Sequence, residues 1–579
     1  MDGGTKQNLY EIDHEEDAMP DRKYDAVIVG GGHHATIIAC YLQRAGLKTA
    51  MFERWHEMGG GACGEELPLP GFIQNVCAHF TRFYTHPAYQ DFELRDYGLV
   101  YGFPENNEAW IYPDGNYILG KTIFPVVDHM TGKTEFSSEA ADYVVKQVAK
   151  INKDDANVAE EIIRRYKAKW RAAYHRYRFT GPAEWPEGPD PLEALADDPK
   201  DGLDPDIAFG TVGHIATTLF KSPEMQTFYL RAMQTSNGFF PQDRPGPYWH
   251  IHVLGLILSM DGAAIVTGGT HSITHALLRA FQQYGGEFFV LNEVKRVLVD
   301  NNKAYGIELT SGERILADVV VSDLNTELTI DAAGKEWWPP EVWAKGQKLK
   351  ERPADVLNDK GYERTQLFWG NVALMEPPVY PQDPQLGYVP RLYFGEADPE
   401  YFLSGRYQRE RWEKGIADKL YLLVAPDVQW DKTRAPAGKF AALVEEFTCP
   451  WRNFSERDWL RMKREVEFKF VDEWGKYAPN VTRENFISAW IATPDDVLNR
   501  NPCMPQGGWG GLDSHYECSG RNRPMPELSG QRMPIKNYYM CGMACHPAHG
   551  IGRGSSYNCY KLIAQDFNLK YRPWEERGW

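Results

Sequence analysis

No run of apolar residues in this 579-residue chain approaches the ~20 needed to span a bilayer. The longest candidate, Val253 to Met260 (VLGLILSM), has the length of a buried strand or the end of a helix. The opening stretch MDGGTKQNLYEIDHEEDAMPDRKYD has neither the basic nor the apolar region of a secretory signal and reads as a solvated acidic tail over 1–23. Positive charge is short as well. The 63 Lys and Arg stand against 80 Asp and Glu, and the resulting net charge of −17 repels phosphate backbones, so no nucleic-acid partner is expected. The nine cysteines form no CxxC pair, and the 16 histidines include no HExxH or Cys/His ligand spacing. No metal is therefore expected, and a reducing cytoplasm suits the chain, with peripheral contact at a membrane left open. Trp249-His250-Ile251-His252 reads as a strand with both histidines on one face, lining a core or a pocket.

Aromatic residues are abundant by contrast. The 18 Trp, 31 Tyr and 27 Phe exceed what core filling needs and suggest a large apolar pocket. The length allows two to four domains, and two are expected.

The first ordered segment carries the strongest local signal. Tyr24 to Gly30 (YDAVIVG) is a short, β-branched run of the kind buried on both faces of a parallel sheet. Gly30-Gly31-Gly32-His33-His34-Ala35 then forms GxGxxA: Gly30 permits the turn, Gly32 lets backbone approach a diphosphate, and Ala35 allows close helix packing. The helix continues from Thr36 to Arg44, and Gly46 ends it before a second strand, Lys48 to Phe52. Glu53, with Arg54 beside it, closes that strand about twenty residues past the turn, where a carboxylate can accept hydrogen bonds from an adenosine ribose. Up to this point both NAD and FAD satisfy the pattern.

Two later segments read as parts of the same unit. From Thr267 the chain gives a helix over Ser272 to Tyr284, a strand over Glu287 to Leu291, a hairpin of Val294–Val299 and Ala304–Leu309 through Asn301-Asn302, and an apolar strand from Ile315 to Val321. Near the C-terminus, Asn537 to Gly542 is a strand running into glycine. The Gly550, Gly552 and Gly554 spacing, with Ile551 between, precedes a helix over Ser555 to Phe567 whose N-terminal amides can face a flavin ring or a diphosphate. Between these parts, Ser138 to Tyr177 has long helical patterns with a charged face, and PAEWPEGPDPLEALADDPKDGLDPD reads as a loop or lid connector.

Several of these segments, in order, resemble the phytoene desaturase-like flavoproteins, a family that includes carotenoid isomerases, retinol saturase and the pyridine nucleotide-disulphide oxidoreductase domain 2 proteins. They are VIVGGGHHATIIACYLQRAG, FER followed by MGGGACGEE, TGGTHSITHAL, TPDDVLNR and PIKNYYMCGMACHPAHGIG, together with Asn558 in the last helix. The resemblance runs from Tyr24 to about Phe567. It implies an α/β fold: a Rossmann-like FAD-binding domain of the glutathione-reductase and amine-oxidase type, discontinuous in sequence (24–100, 250–324 and 533–579), with an inserted α+β substrate-binding domain (101–249 and 325–532). It also implies that Gly60 and Gly61 form a second backbone-exposing loop at FAD, that the backbone at Val294 meets the adenine end, that Gly542, Gly550 and Ile551 lie at the cofactor, and that Gly71 to His79 runs beside the flavin ring. Departures occur at Ala62, where many relatives carry arginine, and at Arg553, where a small residue is usual.

The implied enzyme is an FAD-dependent dehydrogenase or desaturase acting on C–H bonds of a terpenoid or polyene. A flavin-dependent double-bond isomerase or hydratase, and a noncatalytic FAD-bound partner, are the alternatives. His79, His546 and His549 are the acid/base candidates, ahead of the loop carboxylates Glu65 and Glu66. No second dinucleotide fingerprint is present, so the expected electron acceptor is oxygen, a quinone or a carrier protein.

Overall fold

A computed structural model of the protein describes residues 22–185, 187–351, 366–512 and 514–577. The acidic tail expected over 1–23 lies outside these residues except for its last two.

The first sheet is built on β1 (Arg22–Val29), whose Ala26, Val27 and Ile28 are completely buried, as a strand covered on both faces requires. Gly30 to Gly32 turn the chain into α1 (His33–Arg44), and Gly46 (φ +94°) ends that helix ahead of β2 (Thr49–Phe52). β2 lies parallel to β1, with Ala26 opposite Thr49 and Val29 opposite Phe52. The other neighbour of β1 comes from far along the chain: Arg314–Ser322 runs parallel to it, with Val27 opposite Val320. Tyr538–Met540 adds a further parallel strand beside Arg314–Ser322. Glu287–Phe289 extends the β2 edge. The hairpin Val294–Asp300 and Lys303–Leu309 continues the opposite edge of this same sheet by antiparallel pairing to Arg314–Ser322. α1 covers one face together with helices His271–Gln283 and Ser555–Asp566: the Cys40 thiol donates to Leu277 O, and Tyr41 stacks on Tyr560 at 4.8 Å.

A second seven-stranded sheet takes its strands from two separate stretches. Its order is Phe486–Ala492, Leu367–Leu374, Phe440–Phe447, Leu423–Ala425, Arg391–Phe394, Asn106–Ile111, Tyr117–Lys121. Helix Glu456–Gly475, started by a Ser455/Asp458 capping box, covers one face through Trp459, Val466, Phe470 and Trp474. The opposite face joins a core of helices that includes Pro223–Asn237 and Gly246–Ile257. Within this sheet the buried Glu108 and Arg391 sit opposite each other and pair at 3.0 Å.

Helix Gly246–Ile257 corrects the strand expected at Trp249 to His252, and it runs through the domain border drawn at 249/250. The positive φ of Gly246 (+75°) and Pro247 start a helix whose residues are almost all buried, so its sequence carries no polar face to reveal a 3.6-residue period. On a helix the two histidines diverge: His250 bonds Tyr229, whereas His252 meets Tyr174. The proline-rich stretch is a loop, as expected, but one fastened down rather than a lid, with Leu192 and Leu203 in the core. Among the described residues no helix is long and apolar enough to cross a membrane.

Trp474 is fully buried and donates to Tyr380 Oη at 2.9 Å. Trp474→Ala is expected to remove about 3–5 kcal/mol from the stability of the second sheet unit, measured as an earlier denaturant transition by tryptophan fluorescence.

Candidate cofactor cleft and active site

The parallel strands of the first sheet bring their carboxyl ends to one place. β1 leads into Gly30, β2 into Glu53, Arg314–Ser322 into Asp323, and Tyr538–Met540 into Cys541 and Gly542. Ligands of open α/β sheets bind outside such ends. Here an open cleft lined by Gly30 to Gly32, Glu53, Arg54, Gly60, Gly61, Asp323 and Arg500 among others occupies that position.

The wall of this cleft is bare backbone of necessity. A Cβ on Gly31 would stand 2.1 Å from Met58 Sδ, one on Gly32 2.4 Å from Asp323 Oδ2, and one on Gly60 3.2 Å from Gly32 Cα. Gly59 N–H donates to Gly31 O at 2.7 Å, locking the second glycine turn onto the first. Glu53 is fixed by two backbone donors, Gly31 N–H to Oε2 and Trp55 N–H to Oε1, both 2.7 Å. Each carboxylate oxygen keeps a lone pair for a ribose hydroxyl. α1 starts with Gly32 as N-cap and no side-chain cap, and Ala35 is completely buried in its first turn. Amide donors at a helix N-terminus, an acid for a ribose and glycines where a Cβ would intrude make a donor set that fits an ADP-bearing cofactor.

Asp323 was not foreseen. Its carboxyl faces the Gly32 and Ala35 amides, and burial, reinforced by Glu53, pushes its pKa up to about 8. The informative signal was available: Asp323 follows an apolar strand just as Glu53 does. Arg500 was also missed as a site residue, although it ends the TPDDVLNR segment. It pairs with Glu65 and accepts, through its carbonyl, a 3.2 Å hydrogen bond from Arg54. A guanidinium thus reaches the loop where Ala62 stands in place of arginine.

The C-terminal glycine segment meets this assembly. Burial lowers the pKa of the His33 imidazole to about 4, opposed in part by the nearby Gly550 backbone, and Gly550 (φ +111°) and Gly552 (φ +88°) adopt left-handed conformations. Ile551 packs against the α1 core. A Cβ at Gly542 would lie 2.8 Å from Asp323 O. Val294 pairs with Leu309 at the start of an edge strand, two residues past Asn292, whose N–H donates to Glu53 O at 2.8 Å.

The three candidate histidines occupy different surroundings. His546 is fully buried; its Nε2–H donates to Tyr177 O at 2.7 Å, and Tyr177 and Trp185 close on it edge to face at 4.5 and 4.9 Å. His549 stacks on Trp249 at 5.8 Å, and its Nδ1 has no partner among the described residues. Burial lowers the pKa of both to about 3. His79 lies edge-on to Trp369 at 5.7 Å and is held well below its usual pKa by burial and by Arg391 and Arg434. All three are neutral imidazoles at pH 7. Glu65 lies on a short strand, Gly64–Glu66.

A second cavity of about 330 Å³ shares Trp55, Gly60, Gly61, Cys63, Arg500 and Asn501 with the cleft. Trp490, Trp509, Val76, Val497 and Met504 give it a largely apolar lining. Trp509 meets Trp369 at a tilt, ring centres 4.8 Å apart, which carries the apolar wall to His79. Periodicity could not find this pocket, because its lining is gathered from loops and strand ends.

The fold is the Rossmann-type FAD-binding fold seen in the amine oxidases. Cyclohexylamine oxidase from Brevibacterium oxydans superposes with a TM-score of 0.53 at 14% identity, covering 95% of this chain and 100% of that one. A putrescine oxidase variant gives 0.54 at 12% identity over 95% of this chain and 99% of its own. No protein-family model matches the chain. Sequence relatives nevertheless extend the resemblance along nearly its whole length. It is 25% identical over 581 residues to pyridine nucleotide-disulfide oxidoreductase domain-containing protein 2 of Rattus norvegicus, covering 94% of each. It is 24% identical over 569 residues to a limonene dehydrogenase chain of Castellaniella defragrans (95% of this chain, 96% of that protein). It is 22% identical over 553 residues to a lycopene-forming phytoene desaturase of a Paracoccus species (91% and 94%).

Two outcomes test the cleft. Gly32→Val is expected to yield folded protein that purifies without bound dinucleotide, read as the ratio of cofactor absorbance to protein. Asp323 binds its proton more tightly folded than unfolded, so its contribution to stability is present at low pH and is lost as pH rises toward about 8. Ionised Asp323 also repels a diphosphate. Dinucleotide affinity is therefore expected to weaken as pH climbs through 8, and Asp323→Asn to flatten that dependence in a binding titration.

Proposed function

We propose that the chain is an FAD-dependent dehydrogenase or desaturase that oxidises C–H bonds of a hydrophobic terpenoid or polyene. The observation that carries this reading is the tryptophan-lined cavity sharing its wall with the dinucleotide cleft. Two of the relatives, by name, act on limonene or phytoene.

In this reading the α1 amides and the Gly30–Gly32 and Gly59–Gly61 turns hold the diphosphate, Glu53 holds the ribose, and Arg54 and Arg500 supply counter-charge. The bound flavin supplies a hydride acceptor. Trp490, Trp509 and Met504 orient the apolar substrate and exclude water. Loss of a second hydrogen as a proton requires an acceptor; His79 adjoins the apolar wall through Trp369 and is the nearer candidate, and the second is His549, stacked on Trp249. The His549 Nδ1 carries no competing protein hydrogen bond among the described residues, whereas His546 is tied to Tyr177 O and walled in. A buried imidazole of low basicity accepts a proton transiently and releases it readily. Electrons leave to oxygen, a quinone or a carrier protein.

Anaerobic addition of limonene or an acyclic terpene is expected to bleach the oxidised flavin band of the purified protein. Trp490→Ala is expected to retain the flavin spectrum and to raise the terpene concentration needed for half-bleaching by roughly tenfold or more. Turnover seen only after prior reduction of the flavin would overturn the dehydrogenase reading in favour of isomerisation.

A further inference from the structure

The start of helix Gly246–Ile257 meets the proline-rich connector and the loop 516–522 around a cavity of about 230 Å³. Tyr177, Asp190, Glu193, Tyr248, Tyr516 and Arg521 stand in its wall, and exposed Asn522 marks its mouth. It shares no lining residue with the apolar cavity or the cofactor cleft. Asp190 folds the connector back on itself. Its Oδ1 accepts from the N–H groups of Leu192 and Glu193 at 2.7 and 2.9 Å, and its own N–H donates to Glu193 Oε2 at 2.9 Å. The Tyr516 hydroxyl donates to the other Glu193 oxygen.

Two polar atoms in this wall are left without a partner. Asp190 is 7% exposed and Tyr177 2%, yet Asp190 Oδ2 and Tyr177 Oη make no hydrogen bond among the described residues. Buried oxygens of this kind are ordinarily satisfied. A Cβ added to Gly520, in the same wall, would stand 3.6 Å from each of them, so the two converge on one corner of the cavity. The charge there is one-sided. Arg521 directs its guanidinium to Gly188 O at 2.8 Å and to the face of Trp185 at 5.4 Å, which leaves two carboxylates in the wall against one cation already engaged. Burial, and after it Glu193, pushes the Asp190 carboxyl up to about 6, with Arg521 a smaller opposing influence. That is the response of an acid short of positive charge.

We propose that this cavity binds a small primary alkylammonium ion, whose N–H groups donate to Asp190 Oδ2 and Tyr177 Oη and whose chain lies along the tyrosine rings. An ammonium brings three donors and a positive charge to a place that lacks both. Tyr177 and Tyr248, ring on ring at 5.1 Å, and Tyr516 offer faces that attract a cation and cover its methylene groups. The volume exceeds what a bare metal ion fills, and the described residues include no cluster of three side chains able to hold one. The cavity also backs onto the C-terminal glycine segment, because Tyr177 O accepts from His546 and Tyr248 Oη accepts from Arg553. It is a second binding site, apart from the cavity assigned to the hydrophobic substrate, and it stands whether or not the dehydrogenase reading holds.

The test is a calorimetric titration of the full-length, flavin-loaded protein at neutral pH and fixed ionic strength. Three probes are compared: n-butylammonium chloride, its uncharged counterpart n-butanol, and potassium chloride. Butylammonium is expected to bind roughly tenfold or more tighter than butanol, and Asp190→Asn to remove about that factor for butylammonium while leaving butanol unchanged. Asparagine can keep the Oδ1 acceptor that holds the connector turn. Tyr177→Phe, which deletes only the unpartnered hydroxyl, is expected to weaken butylammonium severalfold and stays informative if Asp190→Asn fails to fold. Potassium chloride giving the same binding heat, equal affinities for butylammonium and butanol, or butylammonium binding indifferent to both substitutions would each overturn the proposal. The readout needs no turnover, so a failed dehydrogenase assay leaves it interpretable by itself.

Discussion

Backbone-to-backbone contact between the Gly30–Gly32 and Gly59–Gly61 turns is the constraint around which the rest is arranged. Gly59 N–H reaches Gly31 O at 2.7 Å, and the Gly60 Cα side faces Gly32 with no room for a methyl group at ordinary separation. Such an approach exposes amide donors on both turns to the same cleft, something side chains of any size would prevent. It also fixes where the strands must end. With the turns joined, Glu53, Asp323 and Gly542 are brought to one rim by parallel pairing of strands that lie hundreds of residues apart in the chain.

The fold was legible wherever the determining residues are close in sequence. Gly30, Gly32, Ala35 and Glu53 declare strand, turn, helix and strand within about thirty residues, because each role is a local steric or hydrogen-bonding requirement. The hairpin through Asn301 and Asn302 was legible for the same reason: both residues adopt positive φ, 48° and 56°, which asparagine tolerates. What failed was periodicity where there was no polar face to mark it. Trp249 to His252 alternates like a strand, yet it sits in a helix buried almost all round.

Residues delivered by long-range pairing were the least legible. Asp323 stands after an apolar strand in the same way as Glu53, but only the pairing of β1 with Arg314–Ser322 brings it to the cleft, and that register is not a local property. Arg500, Trp490 and Trp509 meet the glycine loop only once the second sheet is assembled against the first.

The long-range register of β1 also bears on how the chain is made. Its fully apolar stretch, Ala26 to Val29, is synthesised first, yet one flanking partner, Arg314–Ser322, emerges only after nearly three hundred further residues, and the strand Tyr538–Met540 beyond that follows more than two hundred residues later. At ~5–20 residues per second, the N-terminal strand waits tens of seconds on the ribosome before the sheet can close over it. For that interval a β-branched edge stands open to other chains. A cofactor cradle that opens with β1 therefore cannot be finished until Tyr538–Met540 and the helix Ser555–Asp566 have been translated, and β1 is the segment a chaperone has to shield in the interval.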